Sequence, residues 1–233
     1  MHSLTEEDKF KTIRPILGDH ILDNDMPVMH KTSENEIDFE NMMPMGIQNL
    51  CTMYDNSKKL ILPFSYDKDL LKFWNDPLKY IPRLQSAMAV GTPDYSVYPE
   101  MNRIEIEHNV YQSRWLGCLW QTYGCKALPV ISWWESDTYD ICLRGVEEDS
   151  IVIVSTVGCS KNLDIFMNGF NEMKKRIKPS LIIVYGDMLD EMTGRFVNIR
   201  YKESFSKNKN INEEYKQISF LPISNIFERK DGV

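Results

Sequence analysis

Apolar residues in this chain come in short runs separated by amphipathic stretches. Leu60-Ile61-Leu62, Met88-Ala89-Val90, Ala127-Leu128-Pro129-Val130-Ile131, Ile151-Val152-Ile153-Val154 and Leu181-Ile182-Ile183-Val184-Tyr185 are apolar at every position. Runs of that length without alternation fit strands buried on both faces. Between them the period becomes helical. Leu163, Phe166, Met167, Phe170, Met173 and Ile177 mark one face, with Lys174, Lys175, Arg176 and Lys178 at the end where they complement the dipole, before Pro179. A long helix is predicted over 102–123, with Tyr111, Trp115 and Leu119 on its buried stripe and Gly124 stopping it. Leu70, Leu71 and Trp74 predict a helix after the first strand. Asp76 then reads as the N-cap and Pro77 as the first residue of another helix, carrying Leu78, Ile81 and Leu84. A short helix is predicted within 137–143, and Arg195 to Tyr201 alternates like an edge strand.

Buried strands alternating with amphipathic helices predict an α/β fold with a mostly parallel sheet, either an open doubly wound sheet or an incomplete TIM-type barrel. A full eight-stranded barrel takes about 250 residues, so 233 residues are few for one. The expected organisation is an irregular N-terminal arm over 1–55 packed on the core, an α/β core over 56–201, and a Lys/Asn-rich C-terminal segment over 202–233. Met42-Met43-Pro44-Met45 reads as a core edge.

Composition narrows the class. Hydrophobic residues make up 42% and charged residues 26%, which suits a globular protein. The net charge of −7 argues against a generic nucleic-acid coat. The stretch Lys174 to Lys209 nevertheless holds nine basic against four acidic residues, so nucleic acid stays a lesser expectation. The five cysteines form no CxxC pair, which predicts reduced thiols and neither a zinc site nor a disulfide framework. The N-terminus has no apolar signal-peptide core, and no run of 18 apolar residues occurs. A cytoplasmic chain without membrane association is expected.

In both candidate architectures ligands bind at the carboxyl ends of the strands. That rule selects Ser65 and Asp67, then Asp94, Tyr95 and Ser96, then Trp133, Trp134 and Glu135, then Ser155, Thr156 and Gly158, and lastly Tyr185 and Asp187. Asp94 is the candidate general base or divalent-metal anchor. Trp133 is the candidate stacking platform, with Tyr95, Ser96 and Tyr185 beside it. Ser155, Thr156 and Gly158 lead into a helix and are the candidate anion cradle, although neither a Walker A loop nor GxGxxG is present. In that setting the Cys159 thiolate would be favoured. Arg114, on the long helix, is a candidate to point up to the same mouth.

The segments Phe73-Trp74-Asn75-Asp76-Pro77, Thr92-Pro93-Asp94-Tyr95-Ser96, Asn109-Val110-Tyr111 with Arg114 and Gly117, Pro129-Val130-Ile131-Ser132-Trp133, Val154-Ser155-Thr156-Val157-Gly158 and Ile183-Val184-Tyr185-Gly186 resemble an uncharacterised family, domain of unknown function 4417. The resemblance spans about residues 60–190. It implies an origin in phages, prophages or mobile elements, mostly of low-GC Gram-positive bacteria, and brings no activity with it. The leading expectation is a strand-end mouth that takes a phosphate-bearing, nucleotide-like ligand, with turnover left open. The alternative is a non-catalytic protein that binds and inhibits a host defence protein through the N-terminal arm, the Met-rich stretch and the acidic surface.

Overall fold

The computed structural model describes residues 5–50, 55–200 and 227–229. Helix α1 (Glu6–Ile13) opens with a capping box: the Thr5 hydroxyl accepts from the Asp8 N–H, and the Asp8 carboxylate accepts from the Thr5 N–H. Arg14 leaves the helix at φ 51° and lays its guanidinium over Trp74 and Trp115, 3.9 and 5.0 Å from the ring centroids. Trp115 Nε1–H donates back to the Arg14 carbonyl at 2.9 Å. The hairpin of β1 (Leu22–Asp23) and β2 (Met26–Pro27) turns at Asn24 and Asp25, both at positive φ. Met26 and Met29 are fully buried. The N-terminal stretch is therefore docked at specific residues.

The Met-rich stretch forms β3 (Met43–Gly46), which pairs in parallel with β4 (Lys59–Leu62). β5 (Ala89–Gly91) and β6 (Ala127–Leu128) continue that ladder. β7 (Ile151–Ser155), β8 (Leu181–Tyr185) and β9 (Gly194–Ile199) form a second parallel ladder, with β10 (Phe227–Arg229) antiparallel on β9. A parallel bridge between Val130 and Ile153 joins the two, with Ile131 N–H donating to Ile153 and Ile153 N–H to Pro129, each at 2.9 Å. Spatial order thus follows chain order from β3 to β9.

The connections carry α2 (Asp67–Asn75), α3 (Ile81–Gln85), α4 (Arg103–Thr122), α5 (Tyr139–Cys142) and α6 (Leu163–Ile177). Alternation along each strand sends neighbouring side chains to opposite faces. Ile61, Val90 and Ala127 pack against α2, α3 and α4, while Val152, Val154, Ile182 and Val184 pack against α6. The other face, with Leu60, Leu62, Ala89, Leu128, Ile151, Ile153, Leu181, Ile183, Val197 and Ile199, gathers in one cluster. Among the described residues the connecting α-helices lie on one face and the opposite face meets itself, so the sheet is rolled. Phe64, just beyond β4, stacks on Tyr185 of β8 with centroids 4.4 Å apart and planes 5° apart. In a flat sheet, strands four places apart would be separated by roughly 19 Å.

Of the two expected arrangements, this is the incomplete barrel; a doubly wound sheet reverses its order and carries helices on both faces. Among the described residues no ladder joins β3 to β9. Ile37, Phe39 and Met42 fill the open side, and Arg195 of β9 forks onto the Glu34 carboxylate at 2.6 and 3.0 Å. Among the described residues no helix is long and apolar enough to cross a membrane.

Two local expectations are corrected. Asp76 closes α2, its N–H donating to the Lys72 carbonyl and its carboxylate engaged by Lys11 at 2.8 Å. It is therefore unavailable as an N-cap; Pro77 begins a turn, Leu78 stays 40% exposed, and helix resumes at Ile81. β9 is an inner strand flanked by β8 and β10, because Phe196, Val197 and Ile199 are all buried. Tyr201 and the Lys/Asn-rich stretch 204–214 lie outside the described residues. The end of α4 does follow the glycine: Gly124 N–H donates to Gln121 and Cys125 N–H to Trp120, a Schellman closure with Gly124 at φ 79°.

Gly91 sits at the end of β5, where an added Cβ would lie 2.8 Å from Pro63 Cδ and 3.0 Å from Ile153 Cδ1. Gly91→Ala is expected to destabilise by about 1–3 kcal/mol through overpacking, read as a lower urea midpoint at unchanged slope. A second expectation concerns His30. Its ring, stacked on His20, contacts Glu147 at 2.9 Å and Asp19 at 3.1 Å. The bond to Glu147, helped by Asp19, holds the imidazolium above its ordinary range against the effect of burial, whereas burial pushes His20 down. Lys31 shares Glu147 through its N–H and pairs with Asp149. A raised folded pKa gives stability that is complete below the unfolded value of about 6.5 and is lost as pH rises through the folded value. Wild type should lose this increment as pH rises above about 6.5 in denaturation series, and His30→Gln should lack it.

Candidate functional site

The parallel strands end on one side of the roll, and their ends border a cleft of about 340 Å³. Phe64 and Ser65 follow β4 into its wall, Asp94, Ser96 and Tyr98 follow β5, Ser132 and Trp133 follow β6, and Ser155 and Val157 close β7. Phe166 of α6 backs Trp133 at a centroid distance of 5.3 Å.

The loop after β5 is held from below and from the side. Thr92, fully buried, donates its N–H to Leu128, and its hydroxyl oxygen receives the Val130 N–H and the Ser113 hydroxyl, both at 3.0 Å. Asp67, in the first turn of α2, accepts the Ser96 hydroxyl at 3.0 Å and the Ser96 N–H at 3.2 Å. Asn109 of α4 donates to the Ser96 carbonyl at 2.8 Å. These bonds fix the backbone on both sides of Asp94.

Asp94 forms part of the cleft floor and remains partly exposed to it. Burial of the carboxyl pushes its pKa up to about 6; the Ser132 hydroxyl and Arg114 pull it down, and Asp67 adds to the rise. Beneath the floor lies a polar cavity of about 10 Å³, bordered by Asp94, Asn109, Ser113, Arg114 and Ser132. That is room for about one water molecule.

Arg114 does not point up to the mouth. It is 2% exposed and donates to the carbonyls of Val130, Cys142 and Arg144 at 3.0, 3.0 and 3.1 Å. These carbonyls end the β6 segment and α5, where the backbone has no ladder partner, so the guanidinium satisfies them. Its charge acts on Asp94 from below.

The other expected residues divide. Asp94, Ser96, Trp133 and Ser155 meet in the cleft. Tyr95 turns into the core and donates its hydroxyl to the Leu70 carbonyl at 3.3 Å. Thr156 donates to the Asp187 carbonyl at 2.7 Å, on the side away from the cleft. Gly158 occupies an exposed turn at φ 85°, a backbone conformation that suits glycine. Tyr185 lies under Phe64 within the roll. The Ser155 hydroxyl accepts the Val157 N–H at 3.2 Å. Cys159 lines the cleft, but burial pushes its thiol up to about 11, so the expected thiolate is corrected to a neutral thiol.

Sequence reasoning missed Phe64, Tyr98 and Ser132 in the lining and Thr92 beneath it. A threonine directly after an apolar strand was the available signal for Thr92, because a buried hydroxyl there needs partners. Trp133 owes its seat to Gly169 of α6: a Cβ at that position would overlap the indole. Among the described residues, lysine, arginine and histidine are absent from the lining. Among the described residues no group of three or more His, Cys, Asp or Glu could hold a metal ion.

A carboxyl with a raised folded pKa favours the folded state below its unfolded value of about 4, and that increment is lost as pH rises through about 6. Asp94→Asn removes the cost of burying the ionised form. It should raise stability at pH 7.5 by about 1–2 kcal/mol, with the gain vanishing near pH 4, in urea titrations across that range.

Relatives of this chain occur among phage proteins. It is 38% identical over 116 residues to the Gene 1 protein of Mycobacterium phage D29, covering 48% of this chain and 43% of that protein. It is 34% identical over 118 residues to the Gene 1 protein of Mycobacterium phage L5, covering 49% and 52%. The chain spans about half the length of these curated relatives. No solved structure matches it. Residues 24–202, and with them every strand end that borders the cleft, match one family throughout, and the chain belongs to it: the Domain of unknown function (DUF4417) family.

Proposed function

We propose that the strand-end cleft binds a nucleotide-like small molecule, with the ring system inside and the phosphate outside. The observation that carries this reading is a single carboxyl group, Asp94, set among the rings of Trp133, Phe64 and Tyr98 in one cavity of about 340 Å³. Stacking on an aromatic wall contributes about 1–3 kcal/mol per base. The hydroxyls of Ser65, Ser96, Ser132 and Ser155 supply neutral partners for ring or sugar.

The cleft's own charge sets the orientation. A phosphate placed inside would lose water beside a carboxylate and find no lysine or arginine. At the rim it stays solvated next to the exposed β7–α6 loop, which carries Lys161. Binding is the proposed activity; hydrolysis or transfer is not part of it.

A second reading draws on the rim itself. Tyr66 is 76% exposed and Tyr98 59%, Val157 is exposed on the connection after β7, and Ile104 is exposed in the first turn of α4. Apolar side chains gathered around a mouth also suit a protein partner, such as a host defence protein.

Calorimetry with nucleosides and nucleotides, with and without magnesium, tests both. Saturable binding is expected, weakened at least about tenfold by Trp133→Ala through lost stacking. Silence across the whole panel removes the first reading. A stoichiometric host protein retained by both Asp94→Ala and Trp133→Ala would favour the second.

A further inference from the structure

Among the described residues, the one charged group that lines the cleft is a hydrogen-bond acceptor. Asp94 is its one ionisable carboxyl, and an ionised carboxylate offers acceptors only. The Ser96 hydroxyl already donates to Asp67 at 3.0 Å and is bonded to the Tyr98 hydroxyl at 3.1 Å, so its proton is committed. Among the described residues no side-chain amide, guanidinium, ammonium or imidazole lines the cavity. A ligand edge set against the Asp94 carboxylate has to bring its own donors.

Asp94 is also a fixed acceptor. Its backbone is tied through Thr92 and Ser96, and its carboxyl lies on the partition between the cleft and the small cavity above Arg114. At neutral pH the carboxylate prevails, because burial and Asp67 lift its pKa only to about 6 while Ser132 and Arg114 oppose them.

The common nucleobases differ in what they show to two acceptors side by side. Adenine and cytosine present an amino donor next to a ring-nitrogen lone pair, which a carboxylate repels. Uracil and thymine present one N–H between two carbonyls. Guanine alone presents two adjacent donors, the ring N1–H and the 2-amino group.

We infer that the cleft reads a guanine-type edge, with N1–H and the 2-amino group both donating to the Asp94 carboxylate while the ring lies along Trp133. This rests on the nucleotide reading of the same cleft and narrows its ligand to one base class.

The test is calorimetry at pH 7.5 with guanosine, inosine, adenosine, cytidine and xanthosine on wild type and Asp94→Asn. Inosine keeps N1–H and lacks the 2-amino group, so on wild type guanosine should bind at least about tenfold tighter than inosine or adenosine. In Asp94→Asn the side-chain carbonyl accepts N1–H and its amide donates, which matches the 2-oxo group of xanthine. Guanosine should weaken at least about tenfold and xanthosine should become the preferred ligand. Nucleosides that bind wild type without guanine preference overturn this inference and leave the nucleotide reading standing, whatever the variant does. Guanosine preference that survives unchanged in a folded Asp94→Asn protein also overturns it. Failure of every nucleoside and nucleotide to bind removes the nucleotide reading and this inference together.

Discussion

A row of apolar side chains on the inner face of six of the parallel strands, β4 to β9, has to be kept from water, and among the described residues no α-helix lies on that side to do it. The sheet meets this constraint by curling until Leu60, Ile153, Ile183 and Val197 share one core. Everything at the functional end follows from the curl. Strand ends that would be spread along a flat edge are drawn around one opening, and loops from β4, β5, β6 and β7 become its walls. Because β3 and β9 are not laddered together, the seam needs other cover, and Ile37, Phe39 and Met42 supply it. The N-terminal residues thus complete the core as well as decorating it.

Beneath the opening the same economy of partners holds. A buried guanidinium is costly unless its donors are met. Arg114 meets three carbonyls, from Val130, Cys142 and Arg144, that would otherwise be unpaired at the ends of their elements. The result is a positive charge below Asp94 that, after the Ser132 hydroxyl, opposes the upward push of burial on its pKa. Asp94 is left intermediate, ionisable near neutral pH and short of full hydration. That state costs stability and gives the cleft its one strong polar group, a conflict between local comfort and chemistry that is common at binding sites.

The strand and helix pattern was legible because its causes are local. Uninterrupted apolar runs mark strands covered on both sides, and α6 carries its stripe openly from Leu163 to Ile177. The choice between doubly wound sheet and incomplete barrel was not legible, since both arise from the same alternation and differ in which face each helix covers. At the site, Asp94, Ser96, Trp133 and Ser155 were readable from their place after strands. Tyr95 and Arg114 were not, because a residue's position along a loop or helix does not reveal which buried carbonyl claims its donor. Pro77 misled for a related reason: a proline can open a helix or a turn, and the pairing of Asp76 with a lysine some 65 residues away decided between them.

The attachment of α1 has a consequence of its own. Its C-terminal half is held to the body by the partly exposed Lys11–Asp76 ion pair, and by Phe10 and Arg14 laid against indole rings, Phe10 on Trp115 and Arg14 on Trp74 and Trp115. Counterions screen the first, since water surrounds both charges. They have little access to the second, where the cation faces indole rings. At high ionic strength the ionic grip of this helix relaxes while Phe10 and Arg14 stay seated on the indoles, so the segment does not detach.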